Sequence, residues 1–353
     1  SSLKSSAELK RQRLTVEVQP DMPLVAGNAA RLGQVISNLL GNAIKYTPEG
    51  GQIQVSAVAE DGQILVTIRD DGIGIPADDL PHIFDKFYRV KSPETRGIPG
   101  TGLGLAIVKK IVELAGGDNS KIVIIPMASS VPLESALWQK YEFEKAGAGK
   151  VDFVIFSKET ADADSNLSVL DGATGIFFSG GDQSRLTLKM LNSKMLQKIS
   201  KIYLNGGVIS GTSAGAAVMS KIMITGNELL NTDSTRNFIS IQKGNIETVE
   251  GFGFIKNAII DQHFVKRKRL NRLISLVLEN PKVIGIGIDE STAILVNPDD
   301  TFQVFGENTV LIYDASGSKN ISTDKNGNLS ATQLKFHILK SGDRFSLKEK
   351  RAL

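Results

Sequence analysis

The sequence has no cysteine, one tryptophan, five tyrosines and three histidines among its 353 residues. Without cysteine there is no disulfide framework, no thiolate zinc site and no cysteine nucleophile. A reaction that needs an imidazole base must draw on His82, His263 or His337. No apolar run approaches the roughly 18 residues of a bilayer span, and no signal-peptide pattern opens the chain, so a cytoplasmic protein is expected. A net charge of +3 is too small to argue for nucleic acid. Residues 1–117 balance 13 cations against 13 anions, whereas Lys266, Arg267, Lys268, Arg269 and Arg272 crowd five cations into one stretch.

What is present is globular: 41% hydrophobic and 22% charged residues, in a length suited to about two domains at roughly 150 residues each. The run LTVEV alternates like a strand, and residues 29–44 place Leu32, Val35, Ile36, Leu39, Leu40 and Ala43 at helical spacing. TPEGG is a turn, after which QIQVSAV and QILVTIRD read as strands. A stretch punctuated by Gly and Pro from Asp71 leads into a helical pattern over 103–116. Beyond Gly117 the rhythm changes. KIVIIP, VDFVIF, GIFFSG, GGVIS, VIGIGI and AILV are short β-rich runs with amphipathic helical patterns between several of them, which predicts a parallel sheet covered on both faces. Residues after Asp300 read as a β-type extension.

Two glycine clusters stand out, DDGIGIP at 70–76 and GTGLGLAIV at 100–108. Either one alone is readable as turn geometry. Asn38 and Asn42 lie four apart on one face of an apolar helix, where asparagine is a poor former, and Lys45 and Tyr46 follow. Two amides so placed suit a hydrated Mg²⁺ or phosphate oxygens. In order, NLLGNAIKYTP, DDGIGIP, FDKFYR and GTGLGL make residues 1–117 resemble the ATP-binding domain of sensor histidine kinases. The resemblance implies an α+β sandwich in which Asp70 accepts from the adenine amino group. Gly72 and Gly74 permit close approach, Asn42 ligates Mg²⁺, and Asn38, Lys45 and Tyr46 lie near the nucleotide. Gly102 and Gly104 build a lid over the ATP. The family's phosphoacceptor helix pair and final strand pair have no counterpart here, so no kinase activity is expected.

Gly211-Thr212-Ser213-Ala214-Gly215 fits G-x-S-x-G, with a strand-like run before it and a small-residue helical run after it. A strand–turn–helix elbow of this kind exposes a serine oxygen, with the N–H of Ala214 available to an oxyanion. A serine nucleophile needs a base and the base an orienting acid. His263 follows a β-like run, whereas His337 reads as an ordinary strand residue. Glu228 supplies the acid in the order Ser…acid…His, with Asp233 competing.

The motifs PMASS, FFSGGDQ, GTSAGAAVMS, DQHF followed by Arg267, Arg269 and Arg272, and GIGIDESTA resemble the cyanophycinase family over about 115–345. That resemblance implies a serine exopeptidase on a class I glutamine-amidotransferase-like α/β fold, without a cofactor. Its substrate is a polyaspartate whose β-carboxyls carry arginine, cut to β-Asp-Arg dipeptides. It places Gly181 beside Ala214 at the oxyanion. Asp182, Gln183, Asp261 and Gln262 fall on the guanidinium and main chain of the substrate, and Arg267, Arg269 and Arg272 on its carboxylates. Asp289 and Glu290 are either further substrate contacts or turn residues at a strand end, the second reading being preferred. The expected partners are cyanophycin or β-aspartyl peptides and ATP, without nucleic acid or membrane, a homodimer being left open. An α-aspartyl dipeptidase and an ATP-binding kinase fragment are the alternative functions. The expected domains are 1–117, lacking its last strands, and 118–353, lacking its first, joined through the helix at 103–115.

Overall fold

The computed structural model describes residues 7–8, 10–24, 29–60, 62–77, 80, 103–230 and 238–353. The chain divides into two units, Ser1–Gly102 and Leu103–Leu353.

In the first unit, β1 (Arg13–Val18) runs parallel to β2 (Gln52–Glu60), and β2 pairs antiparallel with β3 (Gln63–Asp70). The crossover from β1 to β2 contains helix α1 (Ala29–Tyr46), because a parallel pair cannot be joined by a tight turn. Ala43 and Ile44 of α1 bury against Ile53, with Leu14, Leu40 and Ile68 packed around them.

The second unit opens with helix α2 (Leu103–Leu114), and this settles the allegiance of the helix expected to be shared. Val112 of α2 and Ala115 just beyond it are buried among Ile122, Ile124, Phe143, Val151 and Phe177, all residues of this unit. The strands β4 (Lys121–Ile125), β5 (Lys150–Phe153), β6 (Gly175–Phe178) and β7 (Val208–Gly211) form a parallel sheet in the order β5-β4-β6-β7. Helices α3 (Pro132–Lys145), α4 (Asp164–Ser168), α5 (Gln183–Met190) and α6 (Lys194–Leu204) lie in its connections. The apolar pattern from Ser184 onward resolves into two helices, because Asn192 turns left-handed at φ 63° and Ser193 caps α6 by accepting from the Leu196 N–H.

Helix α7 (Ala214–Ala217) follows β7, and β8 (Ile222–Glu228) and β9 (Ile246–Glu250) make an antiparallel pair. A second sheet contains β10 (Ala258–Gln262) and β11 (Ile284–Ile288) in parallel, connected through α8 (Leu270–Glu279). After β12 (Thr292–Val296) and β13 (Thr301–Gly306), the sheet gains β14 (Val310–Asp314) antiparallel to β11. The tail is all β, as its turn-rich sequence predicts: β15 (Lys319–Thr323), β16 (Leu329–Thr332), β17 (Lys335–Leu339), β18 (Arg344–Ser346) and β19 (Arg351–Ala352). β17 completes the order β10-β11-β14-β17, and β12 and β13 join β18 and β19 in an antiparallel sheet. The buried Ser220 links the two halves of this unit by accepting the Ile260 N–H at 2.8 Å.

Candidate active site

Ser213 stands between β7 and α7, and the bend that carries it is held by backbone crowding. A Cβ on Gly211 would fall 2.4 Å from the Gly215 carbonyl oxygen, and one on Gly215 would fall 2.2 Å from that of Phe178. Only glycine lets strand and helix meet so closely. Ser213 itself has φ 52° and ψ −110°, a conformation that L residues avoid and that persists only where its surroundings impose it. Its Oγ lies 2.9 Å from Nε2 of His263.

His263 follows β10 and also has a left-handed backbone, at φ 51°. The other ring nitrogen, Nδ1, lies 3.2 Å from Oε1 of Glu290, just past the end of β11. The Glu290 carbonyl is fixed in turn, accepting from Thr292 Oγ1 at 3.1 Å and Asn308 Nδ2 at 2.8 Å. With the ring proton on Nδ1 and donated to the carboxylate, the Nε2 lone pair faces the serine hydroxyl. Burial holds the imidazole below the usual histidine range, and the guanidinium of Arg267 adds to this, while the Glu290 hydrogen bond works against both. The direction of this shift favours the neutral ring.

This arrangement corrects the expected acid. Glu228 is engaged elsewhere, its carboxylate accepting from the Phe238 N–H at 2.8 Å and from Asn245 Nδ2 at 2.7 Å. Asp233 lies outside the described residues. Glu290, read from the sequence as a turn residue, is the carboxylate on His263.

Gly181 has φ 139°, and a Cβ there would sit 2.2 Å from the Ala128 carbonyl oxygen. Its neighbour Gly180 lies beside the Ser213 side chain, a Cβ there being 3.4 Å from the serine Cβ. Among the described residues, the N–H groups of Gly181 and Ala214 donate to no backbone acceptor.

Several residues expected to touch substrate point inward. Gln183 is buried and donates to the Ile224 and Thr225 carbonyls at 2.7 and 2.8 Å. Asp261 and Arg272 are each 1% exposed and pair with one another, and the Arg272 guanidinium also lies over the Phe238 ring at 4.7 Å. Gln262 is buried as well, its Oε1 accepting from Arg269 Nη1 at 2.5 Å. A reading of Asp261, Gln262, Gln183 and Arg272 as substrate contacts does not fit these placements, since each is buried and bonded to other groups of the protein. Burial, with Arg272 close by, pulls Arg269 down to about 10, still cationic at neutral pH. Asp182 is exposed and caps α5 by accepting the Ser184 N–H at 2.8 Å. Arg267 is exposed.

In the first unit, the exposed carboxylate of Asp70 ends β3 and accepts the Gly72 N–H at 3.0 Å. A Cβ on Gly72 would fall 2.7 Å from the Tyr46 carbonyl oxygen, so the loop lies tight on the end of α1. Asn42 is exposed on that helix, and Gly74 has φ 70°. An exposed carboxylate beside a loop where a side chain would clash fits the adenine end of a nucleotide. The side chains of Asn38 and Lys45, the FDKFYR segment, His82 and Gly102 lie outside the described residues, and Gly104 is in the first turn of α2. Among the described residues no cluster of three or more His, Asp or Glu could hold a metal.

The family model of peptidase family S51 matches residues 98–304. The chain belongs to peptidase family S51. It is a serine-type peptidase on the mixed α/β fold of that family. The cyanophycinase of Trichormus variabilis is 34% identical over 258 residues, spanning 71% of this chain and 83% of the relative. That of Synechococcus elongatus is 33% identical over 252 residues. A crystal structure of a peptidase from an acI-B1 Actinobacterium, 25% identical, aligns with a TM-score of 0.52 over 70% of this chain and 92% of that one. The model of the histidine kinase-, DNA gyrase B- and HSP90-like ATPases matches residues 27–156. Sensor histidine kinase WalK of Bacillus subtilis is 48% identical over 90 residues, 25% of this chain and 15% of the kinase. The part of the chain ahead of the peptidase unit is thus similar to the ATP-binding segment of sensor histidine kinases. The two family matches overlap between 98 and 156, and within that overlap α2 packs into the peptidase core. No helix among the described residues is long and apolar enough to cross a membrane.

Proposed function

We propose that the second unit hydrolyses cyanophycin to β-Asp-Arg dipeptides, with Ser213 as nucleophile, His263 as base and Glu290 as orienting acid. The observation that carries this reading is the continuous relay from the Ser213 hydroxyl through both ring nitrogens of His263 to Glu290, at 2.9 and 3.2 Å. His263 Nε2 takes the hydroxyl proton as Oγ attacks the carbonyl carbon of an Asp–Asp peptide bond. Charge on the carbonyl oxygen is met by the N–H groups of Gly181 and Ala214. His263 returns the proton to the leaving nitrogen as the C–N bond breaks. A water then gives its proton to His263, attacks the ester, and frees Ser213 and the dipeptide. The choice of polymer rests on similarity to the cyanophycinases and on Arg267, an exposed cation at the site able to pair with a carboxylate in bidentate fashion.

The inward placement of Arg269 and Arg272 favours a second reading, an α-aspartyl dipeptidase, because it leaves one outward arginine rather than three for a polyanion. Product analysis after incubation with cyanophycin and, separately, with Asp-X dipeptides decides between the two. Release of β-Asp-Arg that is lost in Ser213→Ala supports the first. Cleavage of Asp-X alone supports the second. Turnover retained in a folded Ser213→Ala variant removes the serine from its role.

For the first unit we propose nucleotide binding, with Asp70 accepting from the adenine amino group and Gly72 and Gly74 giving it close approach. Asn38, Asn42, Lys45 and Tyr46 would lie toward Mg²⁺ and the phosphates.

A further inference from the structure

The end of β10 is tied to the start of α8 by the Asp261 carboxylate and two guanidinium groups. The Asp261 carboxylate accepts the Gln262 N–H at 2.8 Å and Arg272 Nε at 2.7 Å, and its Oδ1 also takes Arg272 Nη2. Arg269 Nη1 lies 3.7 Å from the same carboxylate and donates to the Gln262 carbonyl at 2.6 Å. Both arginines come from the start of α8, which the chain reaches by turning at His263. In that turn the Arg267 N–H donates to the His263 carbonyl at 2.9 Å and the Arg269 N–H to that of Phe264 at 3.0 Å. A closed circuit results: strand end, His263, turn, helix start, and back through two guanidinium groups to the peptide that precedes His263. The residue inside the circuit has the left-handed backbone, at φ 51°, that a non-glycine residue adopts only under constraint.

We infer that Asp261, acting through Arg272 and Arg269, is a positioning residue that holds His263 against Ser213, and that none of the three contacts substrate. The inference rests on the reading of His263 as the base. It accounts for the buried charges: a planar fork can clamp a carbonyl and a carboxylate together, which one ammonium does poorly. It also separates the arginines by role, with Arg267 outside the circuit and exposed.

The test uses the full chain and three measurements: the rate at which a fluorophosphonate labels Ser213, kcat and KM on cyanophycin, and thermal unfolding. Removing one partner of the buried pair strands a charge, so the pair is replaced together in Asp261→Leu/Arg272→Met, which leaves Arg269 without its carboxylate but still donating to the Gln262 carbonyl. Arg269→Gln is a milder change that carries the same readouts should the double variant fail to fold. The labelling rate and kcat are expected to fall together, on the order of 10- to 100-fold for the double variant and less for Arg269→Gln, with KM within about twofold. Native labelling with a raised KM would place these residues on substrate and overturn the inference. Native labelling and native kcat with only a lower Tm would make the circuit purely structural and overturn it equally. His263→Ala stands as the separate control: if it labels at the native rate, the assignment of the base fails, whatever the circuit does.

Discussion

Glu290 meets His263 through Nδ1, the ring nitrogen turned away from Ser213, across 27 residues of sequence and 3.2 Å of space. A carboxylate there fixes the tautomer and steadies the imidazolium that forms during attack. Glu290→Gln is expected to lower kcat by about 10² to 10⁴, with KM little changed. Glu228→Gln is expected to leave kcat within about twofold and to lower Tm, because that carboxylate anchors the Phe238 N–H and Asn245. Steady-state kinetics and thermal unfolding of the two variants separate these effects. A larger kcat loss in the Glu228 variant would return the acid to that position.

The acidic limb of the rate profile follows from the same ring. Below its pKa the imidazole carries a proton and cannot accept the one on Ser213. Burial and Arg267 hold that pKa under the ordinary 6.5, so the midpoint of the acidic limb of kcat/KM should lie below that value. Arg267→Gln removes a cation and moves the limb upward. Glu290→Gln removes a contribution that favours the protonated ring and moves it downward. A pH–rate series on the three proteins checks both directions.

The elbow tolerates no side chain at its crossing point. Gly215→Ala would push a methyl to 2.2 Å from the Phe178 carbonyl oxygen, an atom of a central strand that cannot step aside. A loss of stability on the order of 1–3 kcal/mol is expected, read as a fall in Tm with slower labelling of Ser213.

Nucleotide binding by the first unit is tested by titrating the chain with ATP and Mg²⁺. Asp70→Asn replaces one of the two acceptor oxygens with a donor at the proposed adenine end and should weaken binding at least tenfold, a change that isothermal calorimetry resolves. Binding of equal strength in that variant would remove Asp70 from the role.

The strands of the second unit were legible because parallel strands buried on both faces read as short apolar runs, and KIVII, GIFF and IGIGI each became one. The bend that carries Ser213 was legible because such a turn needs glycines at fixed offsets. The order Ser…acid…His favoured Glu228, whereas the carboxylate beside His263 is Glu290. The usable signal was topological: two parallel strands followed by polar residues end at the same edge of a sheet. Since Gln262 pairs with Ile288, the residues just past each strand, His263 and Glu290, must come close. The arginines were expected on substrate carboxylates because the cluster carries no anion of its own, and only the fold brings Asp261 beneath Arg269 and Arg272. Within α8, Arg272 sits on the side occupied by Leu273 and Leu276, and its charge hid that periodicity.

Of the three side chains in the relay, His263 and Glu290 extend from neighbouring strands of one sheet, while Ser213 rides on the edge strand of another. Among the described residues no ladder of backbone bonds runs between those sheets; α7 packs across the gap to β10, and the Ser220 hydroxyl pins it. A slide of about an ångström along that seam would mistune the nucleophile while imidazole and carboxylate stayed in register. The alignment of Ser213 with His263 thus depends on how tightly the two halves are seamed.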